Sequence, residues 1–193
     1  MATATRKAAS KSATSATRAT ARKAAAKASV AQEATALLRA DHKQVSALFE
    51  QYEGTRSVAK KKSIVASICR ELGVHAKVEE EIFYPAVKAA LKDKEMVPEA
   101  TVEHATLKEL IAQVEGKEPD GEMFDARIKV MSEYVKHHVK EEETEMFPKA
   151  RKTRLDMKAL GARMAARKEE LVASWPLGGD EPGLLSHLAE VVA

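Results

Sequence analysis

The sequence predicts an all-α protein: an antiparallel up-down four-helix bundle, with a disordered basic tail before it and an extra helix after it. Three observations carry this. Hydrophobic residues make up 45% of the 193 and charged ones 32%, with 8 Gly, 6 Pro and 4% aromatics, a mix that suits soluble helices. Apolar residues recur at alternating spacings of three and four in four successive stretches, the period of one helix face. The segments between those stretches are short and hold Gly or Pro, which places consecutive helices side by side and antiparallel.

The chain divides into a tail (1–30), the bundle (31–152) and a C-terminal helical extension (153–193). The tail carries seven Lys/Arg and no Asp or Glu, whereas the remaining 163 residues hold 25 basic and 29 acidic groups. After Met1 it has no Val, Leu, Ile or Phe until Val30. Such a segment buries too little apolar surface to offset its ordering entropy, so disorder is expected in isolation. It reads as an arm for nonspecific binding of DNA or another polyanion through counterion release, or as a solubilising tail. A transit peptide fits worst, because no apolar face accompanies the basic residues.

The first helix follows Leu38, His42, Val45, Phe49 and Tyr52 and ends at Gly54. The second, over 57–91, follows Ile64, Ile68, Leu72, His75, Glu79 and Phe83, and Pro85 should kink it near its end. Pro98 precedes a third, with Ala100, His104, Leu107, Ile111 and Val114 in phase. After a turn over 116–121, with Asp120 as N-cap, a fourth follows Phe124, Ile128, Met131, Val135, His138 and Glu142. A basic helix over 155–173 would pack through Leu155, Leu160, Met164 and Leu171, with Arg163, Arg167 and Lys168 facing water. A break, "WPLGGDEPG", and a short apolar helix close the chain.

No apolar run approaches the ~20 residues a bilayer requires, and no signal-peptide core opens the chain. The one cysteine, Cys69, excludes an intramolecular disulfide and suits a reducing interior. A cytoplasmic protein is expected, nucleoid-associated if the tail holds DNA.

The predicted core is not wholly apolar. Each stripe carries one histidine, and two carry a glutamate four residues later: His42, His75 with Glu79, His104, and His138 with Glu142. In "HHVKEEETEMFP" (137–148), His138 and Glu142 face inward, while His137, Glu141 and Glu143 flank the stripe and Tyr134 sits at its boundary. A lone histidine on an apolar face is ordinarily a hydrogen-bonded core residue. A buried carboxylate is harder to dismiss, since it costs several kcal/mol unless paired or bound to a metal. "HAKVEEEIFYP" (75–85) also aligns with "HVKEEETEMFP" (138–148), and "DHKQVSAL" from Asp41 parallels "EHATLKEL" from Glu103. The chain thus reads as two hairpins, each supplying a histidine and then His-x-x-x-Glu. Folded about a pseudo-twofold axis, they bring four imidazoles and two carboxylates to one depth. That set suits a pair of iron, manganese or zinc ions, with room for an oxo or hydroxo bridge, and the lack of thiolates speaks against structural zinc.

"DHKQVSALFEQY", "ICRELGVHAKVEEEIFYP", "EHATLKELI" and "YVKHHVKEEETEMFP" resemble the hemerythrin-like HHE cation-binding domain over residues 35–150. The resemblance implies a hemerythrin-like bundle whose non-haem di-iron centre is held by His42, His75, Glu79, His104, His138 and Glu142, iron being favoured over manganese or zinc. It implies a protein that binds or senses oxygen, peroxide, nitric oxide or iron, with a redox enzyme acting on peroxide, nitric oxide or ferrous iron as the alternative. The sequence departs from the oxygen-carrying hemerythrins, which have histidine where this chain has Lys108 and aspartate where it has Glu143. Reversible oxygen carriage is therefore not implied. A third reading makes the chain a DNA-associated iron or oxygen scavenger, tethered by its tail.

Overall fold

The computed structural model describes residues 32–92 and 94–175. The basic tail and the short apolar helix expected near the C-terminal end lie outside the described residues. Every regular element among the described residues is helical.

Helix α1, Ala34–Glu53, starts where the Glu33 side chain accepts from the Ala36 N–H, and Gly54 closes it. Helix α2 starts behind the Ser57 cap, runs over Val58–Val78, widens into a π-turn at Glu79–Phe83, and resumes over Tyr84–Leu91. Helix α3 covers Met96–Ala112. Helix α4 covers Gly121–Glu141, widens at Glu142–Met146, and resumes over Phe147–Arg151. Helix α5, Met157–Ser174, starts from Asp156, whose carboxylate accepts from the Lys158 and Ala159 N–H groups. Around the bundle, α1 packs on α2 and α4, and α3 packs on the same two; α5 lies across α1 and α2.

One local expectation changes and another takes a definite form. Pro98 does not precede α3 but sits in its first turn, where no helical hydrogen bond awaits its missing N–H. At Pro85, near the end of its helix, the perturbation takes the form of a π-turn. A proline ring clashes with the carbonyl four residues back, and the π-turn just before it absorbs the clash: the Tyr84 N–H donates five residues back to Glu79 O. Pro148 is preceded by the same device, with the Phe147 N–H donating to Glu142 O.

The apolar core comes in two layers with a polar layer between. Leu38, Phe83, Phe147 and Met164 belong to one layer, and Val45, Leu72, Ile111 and Met131 to the other. Fully burying such a side chain stabilises the fold by roughly 1.5–3 kcal/mol, which lets the bundle carry costly polar groups in the middle. Helix α5 extends the first layer through Leu160, Met164 and Leu171, as the sequence suggests.

Gly161 fixes how closely α5 approaches α1. A Cβ there would lie 2.2 Å from Gln32 O and 2.8 Å from Ala34 N, both backbone atoms. In an exposed helix interior, glycine to alanine gains about 1 kcal/mol. Here Gly161→Ala should instead destabilise by roughly 1–3 kcal/mol, because α5 must move off α1. Urea unfolding monitored by circular dichroism checks the sign.

Candidate metal centre

The six residues singled out by phase meet in the polar layer. His42, His75, His104 and His138 are buried, as are Glu79 (0% exposed) and Glu142 (1%). His42 Nε2 lies 3.2 Å from His75 Nε2, and His104 Nε2 lies 3.1 Å from His138 Nε2. Glu79 Oε2 lies 3.1 Å from His75 Nε2 and 3.4 Å from His104 Nε2, and Glu142 Oε2 lies 3.3 Å from His42 Nε2. Two overlapping groups result. One is His42, His75, Glu79 and Glu142; the other is Glu79, His104 and His138; in each, one donor atom per residue lies within 4.8 Å of the rest.

The outer nitrogen of every ring faces a carboxylate. His42 Nδ1 is 2.9 Å from Glu143 Oε1, and His104 Nδ1 is 3.1 Å from Glu80 Oε1. His138 Nδ1 is 2.6 Å from Glu103 Oε2, and His75 Nδ1 is 3.5 Å from Asp41 Oδ2. Each carboxylate is held by a base in turn: Glu143 by Arg39, Glu80 by Lys108, Asp41 by Lys168, and Glu103 by His137. A carboxylate only accepts, so in His42, His104 and His138 the Nδ1 carries the proton and turns the Nε2 lone pair inward, while His75 Nδ1 stays beside Asp41 without a hydrogen bond. Lone pairs converging at such distances, beside two carboxylates, repel unless a cation sits among them.

Without a metal, protons answer part of that demand. Burial alone would depress His75, but Glu79, Asp41 and Glu142 outweigh it and hold its pKa at about 10. For His104, burial is outweighed by Glu79 and Glu80, giving about 9. Burial would raise Glu79, yet His75 and His104 hold it well below the usual carboxylate range. Even so, Glu79 Oε1 and Glu142 Oε2 are buried and accept no hydrogen bond. Orphaned buried acceptors cost free energy, and a hard or borderline cation is the partner their chemistry fits.

Two features escaped the sequence reading. Tyr84 is buried in the polar layer, with its hydroxyl donating to Glu142 Oε1 at 2.9 Å and lying 3.2 Å from His104 Nε2. Burial, with Glu79 and Glu142 nearby, pushes its pKa well up, so the phenol keeps its proton. Tyr134, the tyrosine considered from sequence, is half-buried against the second apolar layer. The other omission is the ring of outer carboxylates, whose signal was present: Asp41 and Glu103 each precede a site histidine, and Glu80 and Glu143 each follow a site glutamate. Lys168 does not face water but reaches Asp41, tying α5 to the His75 partner.

A helical bundle with buried imidazoles and carboxylates converging around orphaned acceptors defines a metal-binding protein. The model of the hemerythrin HHE cation-binding domain matches residues 33–150, and the chain belongs to that family. Its fold is similar to the crystal structure of a hemerythrin HHE cation-binding domain-containing protein from Mycobacterium kansasii, with a TM-score of 0.63 and 22% identity over 74% of this chain and 89% of that one. A curated relative, described as a DNA nickase of Nostoc sp., is 28% identical over 111 residues, which cover 58% of this chain but 31% of that protein's length.

Proposed function

We propose that the protein is a non-haem di-iron protein that binds or senses oxygen, a related small molecule, or iron itself, with His42, His75, Glu79, His104, His138 and Glu142 as ligands. The observation that carries this is the pair of donor groups sharing Glu79, one for each of two ions. Iron held by imidazole and carboxylate supplies a redox couple and coordination positions open to a small ligand. The chain's own residues do the rest. Val45, Leu72, Leu107 and Val135 line a cavity of about 10 Å³ against the four histidines, space for roughly one water-sized molecule. The carboxylate partners fix the ring tautomers, and the Tyr84 hydroxyl holds a proton against Glu142.

Metal analysis and the optical spectrum of purified protein test the reading. Near two irons per chain, with oxo-bridged ferric absorption lost in His75→Ala and Glu142→Ala, is expected. A protein that purifies metal-free and resists reconstitution sinks it. Steady-state consumption of peroxide would shift the reading to a redox enzyme; stoichiometric uptake without turnover keeps it a binder or sensor.

A second reading adds DNA association. It is motivated by the seven basic and no acidic residues of 1–30 and by the DNA nickase among the relatives. Deleting residues 2–30 should abolish salt-sensitive retention on DNA and leave metal content unchanged; retention that survives the deletion removes this reading. No helix among the described residues is long and apolar enough to cross a membrane.

A further inference from the structure

Among the described residues, the polar layer is open on the side of α3 and α4. A cavity of about 60 Å³ between α3 and the π-turn of α4 is walled by Glu99, Glu103, Glu141 and Glu145, with His138 and Glu142 also lining it. Glu142, one of its lining residues, is 1% exposed, and its Oε2 accepts no hydrogen bond.

Surface glutamates on a helix are ordinarily just solvated. The pseudo-twofold relation argues otherwise here. Pairing His42 with His104 and His75 with His138 sets Glu99 against Leu37, Glu141 against Val78 and Glu145 against Ile82. Those three apolar residues lie in the layer that α5 covers. One half of the layer is thus roofed by a helix over apolar side chains, while the matching positions of the other half are carboxylates around an opening. Against them the structure sets Lys149, which lies 3.6 Å from Glu145 Oε2 and is half exposed.

Two of the lining residues, Glu103 and Glu141, also belong to a ligand set with the neighbouring His137. Glu103, His137 and Glu141 each offer a donor atom within 4.8 Å of the others. His137 Nε2 is 3.2 Å from Glu141 Oε1 and 3.9 Å from Glu103 Oε1, and the ring is 63% exposed. Glu103 bridges outside and inside, because its other oxygen faces His138 Nδ1. We propose that this cleft is the path by which a divalent cation reaches the buried centre, with Glu103, His137 and Glu141 as its first stop. The inference rests on the metal-binding reading. Carboxylates around a low-dielectric cleft concentrate cations at its mouth, raising on-rates by about 10–1,000-fold.

Metal-free full-length protein mixed with cobalt(II) tests the path, with visible absorption reporting uptake and elemental analysis reporting content. Glu99→Gln/Glu141→Gln/Glu145→Gln should slow uptake about tenfold at low ionic strength and leave final cobalt content at the wild-type level. Added salt should slow the wild type more than the variant. Glu50→Gln/Glu109→Gln/Glu122→Gln, which removes the same charge from exposed positions elsewhere, should load at the wild-type rate. His137→Ala should also slow uptake; an unchanged rate would remove the first stop. The path is overturned if the cleft variant loads at the wild-type rate, if the remote variant slows equally, or if the cleft variant loses content. A wild type that takes up no cobalt overturns the metal-binding reading and the path with it.

Discussion

Glu79→Ala should purify with almost no metal, while Glu109→Ala, an exposed carboxylate on α3, should match the wild type. Glu79 is the donor common to both groups, so its loss removes an oxygen from each at once. Dropping a single histidine leaves the other group whole, and partial occupancy is the expected result there. The energetics give a second readout. A cation that binds only the folded chain stabilises it by about 4 kcal/mol at a thousandfold excess over its dissociation constant. Added metal should therefore raise the melting temperature of the wild type and leave that of Glu79→Ala unmoved. Metal content at the wild-type level in Glu79→Ala would mean that the ions sit elsewhere.

The metal-free variant is informative too. With Glu79 gone, His75 and His104 each lose one of the carboxylates that hold their pKa values up, and burial shifts both rings toward the neutral form. Removing one partner of a buried ion pair typically costs 3–5 kcal/mol, and the rings avoid part of that by releasing their protons. The variant should remain folded by circular dichroism, so its missing metal cannot be put down to a missing fold.

The six candidate ligands were legible because they share a helical phase with the core. His42 falls between Leu38 and Val45, and His104 between Ala100 and Leu107, so core periodicity carried the polar residues with it. Tyr84 was illegible for a definite reason. In a straight α-helix, residues five apart stand about 140° apart, which sends Tyr84 away from Glu79. The π-turn over Glu79–Phe83 brings them onto one face, with the Tyr84 hydroxyl 3.4 Å from Glu79 Oε2. Prolines at 85 and 148 marked where the helices are perturbed, but not that the perturbation would fall on the site glutamates. The outer carboxylates were missed because one residue off the stripe, about 100°, reads as surface, yet that rotation is what reaches an Nδ1 from a neighbouring helix. Lys168 shows the same limit: a long side chain on an outer face can bend back to a buried carboxylate.

Phe147→Ala is expected to produce the largest loss of stability, about 3–5 kcal/mol for a fully buried phenylalanine reduced to alanine. Phe147 is 0% exposed and meets Phe83 edge-on, with ring centroids 5.6 Å apart at 89°. It also lies parallel to the His42 ring at 5.8 Å, and the Arg39 guanidinium stands 5.4 Å from its centroid. Through the internal repeat, Phe147 is the counterpart of Tyr84, so the two halves of the layer differ here: a phenol beside His104, a plain ring beside His42. The truncation should therefore act in two ways. Denaturant unfolding of metal-free protein should show the packing loss. Metal affinity should fall beyond it, because His42 loses the surface that fixes its ring and Arg39 loses the platform that aims it at Glu143. Phe147→Leu separates the two: it refills most of the volume and should recover most of the stability, but it offers no flat face to His42. Wild-type affinity in both variants would show that the Glu143 hydrogen bond alone orients His42.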